Sequence, residues 1–192
     1  MMRKIERENT GLLHAGQDLV VAGYAGLAGT VKLAEAAKEE LSRWFSDEYM
    51  EEIADAAPLC PVSPEFWRSC GAAEWEPAGE GGILTAIWNL TGAYETGVEF
   101  YLRQIPMRQE TVEVCERLEL NPYRLYSWGC VLLTADNGGQ LVRILAEKHI
   151  PAQVIGRVNK GIAREMIVQE GRGFLERPQP DEITKVIPGF FK

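Results

Sequence analysis

The sequence predicts an α+β domain built on a mixed sheet. Strand-like and helical runs alternate irregularly rather than in strict βαβ order. Two glycine-rich turns, "GYAGLAGT" at 23–30 and "PAGEGG" at 77–82, each stand directly before a helical period. The strand-like runs "AQVIGRV" and "REMIVQE" flank the turn "NKG", which reads as a hairpin near the end of the chain.

Each element has its own signal. "QDLVVA" (17–22) is a short valine-rich run before a glycine, as expected of a buried strand. Leu33, Ala37, Leu41 and Trp44 then recur at helical spacing over Thr30–Phe45. Ser46 offers an N-cap, with Asp47 and Glu48 in the first turn of a second short helix, which Pro58, Pro61 and Pro64 close. "EFWRSC" reads as a brief helix and "AAEWEP" as a strand. From Gly82, the residues Ile83, Leu84, Ile87, Trp88 and Leu90 cover more than half of a helix circumference, which implies burial on more than one side. "GVEFYLRQI" alternates as a strand and "QETVEVCERL" as an amphipathic helix. Asn121 and Pro122 predict a short helix over "LNPYRLYSWG". "CVLLTA" is a strand, "NGGQLVRILAEKHI" a helix, and the proline-rich tail from Gly171 loop-like.

Composition narrows the function classes. At 192 residues, 46 % hydrophobic and 25 % charged, the chain matches one ordinary globular domain. Acidic side chains outnumber basic ones 28 to 20, and the net charge of −8 offers no basis for holding a nucleic acid. The apolar runs are too short to cross a membrane. Cys60, Cys70, Cys115 and Cys130 form no CxxC pair and no apolar leader opens the chain, so they read as cytoplasmic thiols. Cys115 and Cys130 read as small core residues, Cys115 sharing a helical face with Val112 and Leu118. His14 and His149 are not spaced as metal ligands, so no metal site is expected. The five tryptophans, Trp44, Trp67, Trp75, Trp88 and Trp128, read as core or interface bulk, since no basic residues interleave with them.

Four segments, in order, resemble the C-terminal domain shared by aminoimidazole ribonucleotide (AIR) synthase, the hydrogenase-maturation carbamoyl dehydratase, thiamine-monophosphate kinase and selenophosphate synthetase. They are "GQDLVVAGYAGLAG", "GEGGILTAIWNL", "IPMRQETVEVCERLELNPYRLYSWGCVLLTA" and "IPAQVIGRV". The resemblance implies a three-layer α/β/α domain over 16–170, after an N-terminal extension (1–15) and before a tail (171–192). In complete members it pairs with an N-terminal half that carries the magnesium and nucleotide ligands. Nothing in this chain is similar to that half. The family's His-Asp-x-Thr-x-Gly-Gly pattern falls on Glu76–Gly82, where the histidine, aspartate and threonine are replaced and the glycines remain.

The candidate ligand-binding residues are therefore Glu76, Gly79, Glu80, Gly81 and Gly82 at the second turn, with Gly26, Gly29 and Thr30 at the first. A glycine turn at a helix N-terminus presents free N–H groups and a positive dipole end to an anion. Against this, Glu76 and Glu80 would each oppose a phosphate by roughly 1 kcal/mol at contact distance. Glu80 could instead cap the helix, or the glycines could simply permit close packing, which is the favoured reading at both turns.

Three functions follow. The first is a free-standing domain, not catalytic alone, binding a phosphate-bearing ligand or a protein partner. The second is one half of a split ATP-dependent enzyme of the AIR synthase or hydrogenase-maturation dehydratase type, with nucleotide and Mg held by a separately encoded N-terminal-like subunit; the third is a structural subunit. The surface that another domain covers in complete relatives predicts a homodimer or a tight hetero-partner.

Overall fold

The computed structural model describes residues 12–58 and 63–192; most of the N-terminal extension, together with Cys60 and Pro61, lies outside them. The expected α+β architecture is present. In chain order the elements are β1 (Asp18–Ala22), α1 (Leu27–Ala36), α2 (Lys38–Leu41), α3 (Asp47–Ala54), α4 (Pro64–Ser69), β2 (Glu74–Pro77), α5 (Gly82–Ala93), β3 (Gly97–Tyr101), α6 (Gln109–Arg117), β4 (Val131–Ala135), α7 (Gly138–Glu147), β5 (Ala152–Asn159), β6 (Arg164–Val168) and β7 (Gly171–Phe174). Short 3-10 turns occupy Leu102–Gln104, Pro122–Arg124 and Glu182–Lys185.

The strands form one mixed sheet in the order β2-β4-β1-β5-β3-β6-β7. β3 and β6 run parallel, and the other neighbours run antiparallel. Side chains alternate across this sheet, so each strand feeds two layers. Leu19, Val21, Leu132, Val98 and Phe100 face α5, packing on Ile83, Ile87 and Leu90. Val20, Ala22, Val131, Leu133 and Ala135 face the other way, onto Leu141 and Leu145 of α7 and Trp67 of α4. A third cluster joins Leu33, Ile53, Val114, Leu125 and Ile183, linking α1, α3 and α6 to the tail.

Several expectations are corrected. The helix over Thr30–Phe45 is two helices: Ala37 leaves helical geometry at φ −108, ψ 25. Trp44, beyond the second of them, is 62 % exposed under the Arg117 guanidinium rather than core. Val112 is likewise exposed, so the apolar face of α6 runs through Thr111, Val114 and Cys115 instead. β5 and β6 do not form a hairpin. β3 lies between them, because Val98 and Phe100 need the same α5-facing layer as Val158 and Met166. The hairpin near the end is β6–β7, so the tail opens with a strand and also holds a 3-10 turn. The short helix expected over residues 120–129 is only the turn Pro122–Arg124, capped at Tyr123 N–H by Asn121 as anticipated.

Candidate functional site

Both glycine turns close on one segment, residues 122–127. Gly26, at φ +74, lies against Thr111 and the Pro122 carbonyl, where an added Cβ would come within 2.8 and 3.1 Å. A Cβ on Gly29 would stand 2.5 Å from the Leu125 side chain, and the Gly29 N–H donates to the Tyr126 carbonyl at 2.9 Å. From the other side, a Cβ on Gly82 (φ +67) would meet the Tyr123 carbonyl at 2.5 Å and the Leu125 carbonyl at 2.8 Å. The segment is thus a wedge between the N-termini of α1 and α5, and three of the glycines are spacers that let backbone approach backbone. Ser127 ties the wedge to both turns. Its Oγ accepts from Gly26 N–H at 2.8 Å and its N–H donates to the Gly79 carbonyl at 3.2 Å.

The remaining candidate residues are equally engaged or turned outward. Thr30 is buried, and its hydroxyl donates to the Gly26 carbonyl (2.9 Å) and meets Thr111 Oγ1 at 3.0 Å. Glu76 sits half-buried on β2, where Asn89 Nδ2 approaches its Oε1 at 3.5 Å. Gly79 has open space around it. Glu80 is exposed, and α5 has no side-chain cap bond at its N-cap residue, Gly81.

The group at this mouth is Asp181, from the tail. Its Oδ2 accepts from Gly81 N–H at 2.6 Å, and its Oδ1 from Tyr126 N–H at 3.1 Å and Ile183 N–H at 2.9 Å. The residue is 2 % exposed. Burial pushes its carboxyl above the ordinary range, the three N–H donors pull it back, and Glu80 nearby pushes it up again. A sequence signal for it existed: aspartate directly before "EITK", with glutamate in the first turn, is an N-cap pattern.

Other reactive groups are structural. Cys70, Cys115 and Cys130 are buried free thiols, and burial pushes Cys115 and Cys130 up to about 12, so they stay protonated at neutral pH. Beside Thr111, buried Glu110 is held below the usual carboxylate range by the Arg108 guanidinium, which bonds both of its oxygens. Trp67 is core as expected, whereas Trp128 is 43 % exposed. A cavity of about 280 Å³ opens beside the first turn between Tyr24, Leu27, Gly129 and His149, with no lysine or arginine among the described residues of its lining. No group of three His, Cys, Asp or Glu side chains among the described residues could hold a metal ion. Among the described residues no helix is long and apolar enough to cross a membrane.

One feature of the sheet is not absorbed by the packing. On the side away from α5, the α7 layer ends at Ala152 and Val154 of β5. Beyond it, alternation and register place Glu99 and Tyr101 of β3, Glu165 and Ile167 of β6, and Arg172 and Phe174 of β7 on one face. Arg172 Nη1 bridges Glu99 (2.8 Å) and Glu165 (2.9 Å), and Arg157 reaches Asp18 at 3.3 Å. Phe174 is 70 % and Tyr101 42 % exposed.

Comparison with known families places residues 14–169 in a match to the model described as AIR synthase related protein, C-terminal domain. Comparison with curated proteins finds no match. Among solved structures, the chain is similar to HypE of Escherichia coli, a hydrogenase maturation protein, with TM-score 0.69 and 21 % identity over 89 % of this chain and 54 % of that one. It is also similar to a chain of a HypE–HypF complex (TM-score 0.65, 19 % identity, 86 % of this chain and 54 % of that one). A third is thiamine-monophosphate kinase from Stenotrophomonas maltophilia (TM-score 0.61, 18 % identity, 80 % and 50 %). The chain spans about half the length of these structures.

Proposed function

Because the chain belongs to the family of AIR synthase related C-terminal domains, we propose that it is a non-autonomous domain that docks a protein partner and does not turn over nucleotide alone. The observation that carries this reading is the open face of β3, β6 and β7. Exposed apolar surface rimmed by polar groups marks interaction sites, and on this face the exposed Phe174 and Tyr101 stand with Ile167 beside the ion pairs of Arg172 with Glu99 and Glu165. The mouth of α5 favours the same reading, since the chain's own wedge and carboxylate fill the places a phosphate would take.

Isolation of the protein from its own cell extract tests the proposal by native mass spectrometry. The expected result is a complex, with a second copy or with another polypeptide, that Phe174→Lys with Tyr101→Glu abolishes while leaving the melting temperature within about 2 °C, as surface substitutions do. A monomer in every preparation overturns it. A second reading, half of a split ATP-dependent enzyme, draws support from the coverage of about half of each similar structure. It predicts magnesium-dependent ATP turnover only when a separately encoded nucleotide-binding subunit is added.

A further inference from the structure

The last strand of the sheet, β7, has β6 as its one strand neighbour among the described residues, so no described strand covers its outer edge. The ladder fixes which backbone groups stand there. Leu175 N–H donates to the Arg164 carbonyl at 2.8 Å, and in an antiparallel strand every second residue turns its N–H and C=O the same way, so Gly171 and Gly173 also face β6. Arg172 and Phe174 therefore face outward, and no described residue bonds their N–H or C=O groups. Between them, Gly173 has no reason inside the chain to be glycine: it is not at positive φ, and an added Cβ would meet nothing within 4 Å. Glycine inside a strand marks a place where another backbone comes close. The usual guards of an open edge, a proline or a bulge, are absent from Gly171–Phe174, and its one charge, Arg172, is already matched by Glu99 and Glu165.

We propose that a second copy of this chain pairs with that edge, β7 against β7, antiparallel about a two-fold axis at Gly173. The inference rests on the reading that this end of the sheet docks a protein, and it names that protein. In this register Arg172 lies opposite the partner's Phe174, and Phe174 opposite the partner's Arg172. Both residues of each pair face outward, so each pair exchanges two main-chain hydrogen bonds and every outward group of the strand is satisfied. The side chains match as well. Arg172 meets the ring of the partner's Phe174 in a cross-strand cation–π pair, and the two-fold axis repeats it. On the face away from α5, the row Glu99, Glu165, Phe174 runs on into the partner's Arg172, so an acidic row meets a basic end. On the α5 side, Leu175 stands opposite the partner's Gly171, and the two Gly173 residues meet without side chains. Pairing about Arg172 instead would set like charges opposite each other, and pairing about Phe174 would draw on Glu176, which Arg124 already holds at 2.9 Å.

The purified full chain tests the pairing by sedimentation, cross-linking and amide exchange. Wild type should sediment as a dimer, and Phe174→Lys, which sets a like charge against the partner's Arg172, should weaken association at least about tenfold. In a Cys60→Ser background, Gly173→Cys should give a disulfide-linked dimer, because facing Cα atoms of a non-hydrogen-bonded pair stand about 4.5 Å apart, within disulfide reach. Gly171→Cys, on the same face and equally open, should not link, since the axis leaves the two positions about 13 Å apart, a rise of four residues. The Arg172 amide should exchange at least about tenfold more slowly in the wild-type dimer than in Phe174→Lys. A monomer at every concentration overturns the proposal, as does equal linking at 171 and 173. An Arg172 amide equally slow in both proteins overturns it too, because the chain then covers its own edge. If the purified chain is monomeric while cell extract holds a complex with another polypeptide that Phe174→Lys with Tyr101→Glu abolishes, the second copy is ruled out and the docking reading stands.

Discussion

Gly82 and Gly79 lie in the same turn and answer opposite questions. A Cβ on Gly82 would press into two carbonyls at positive φ, so Gly82→Ala should cost about 2–4 kcal/mol in urea unfolding. A Cβ on Gly79 would meet nothing within 4 Å, and Gly79→Ala should change stability by less than about 0.5 kcal/mol. Equal effects at the two positions would contradict the spacer role. Glu110 supplies a pH test. Its carboxyl is lowered by Arg108, so its stabilisation is full above the ordinary carboxylate range and is lost as pH falls through the lowered value. The urea midpoint should therefore drop below about pH 4.5, and Glu110→Gln should flatten that drop. At this scale the glycines were legible as packing devices, because glycine before a helical period has few other uses. Asp181 was not read, since its three donors come from residues 81, 126 and 183, and only the fold makes neighbours of the first two.

Residues 122–127 are the element on which the site depends. Leu125 is fully buried, touches Gly29 with its side chain and Gly82 with its carbonyl, and belongs to the helical cluster. Leu125→Ala should cost about 2–5 kcal/mol, the range of a core cavity, although the residue sits in a connection between α6 and β4. A loss under 1 kcal/mol would remove the wedge from the account. Local signals identified most elements: Ser46, Asn121 and Asn137 each accept from the backbone N–H their capping pattern foretold or allows. Pairing was the part that local signals could not carry. β5, β6 and the turn between them read as a hairpin, yet β3 inserts because its alternating Val98 and Phe100 complete the α5-facing layer. That choice is made by a long-range layer, and a three-residue turn holds no record of it.

At the scale of the whole molecule, and among the described residues, the sheet packs on both sides at β2, β4 and β1, whereas β3 and β6 send core side chains only to the α5 side and β7 is largely exposed. The asymmetry follows from where α7 ends its packing, at Val154. The resemblance implied a surface that another domain covers in complete relatives but gave no place for it, and Tyr101 and Phe174, 73 positions apart, share a face only through β6. The measurement that bears most directly on the account is an amide-exchange footprint of the native complex against the free chain. Slowed exchange confined to residues 97–101 and 164–174, with no change at 76–82, is the predicted result. Slowed exchange at 76–82 on addition of magnesium and ATP to the chain alone, with residues 164–174 unaffected in the complex, would contradict it.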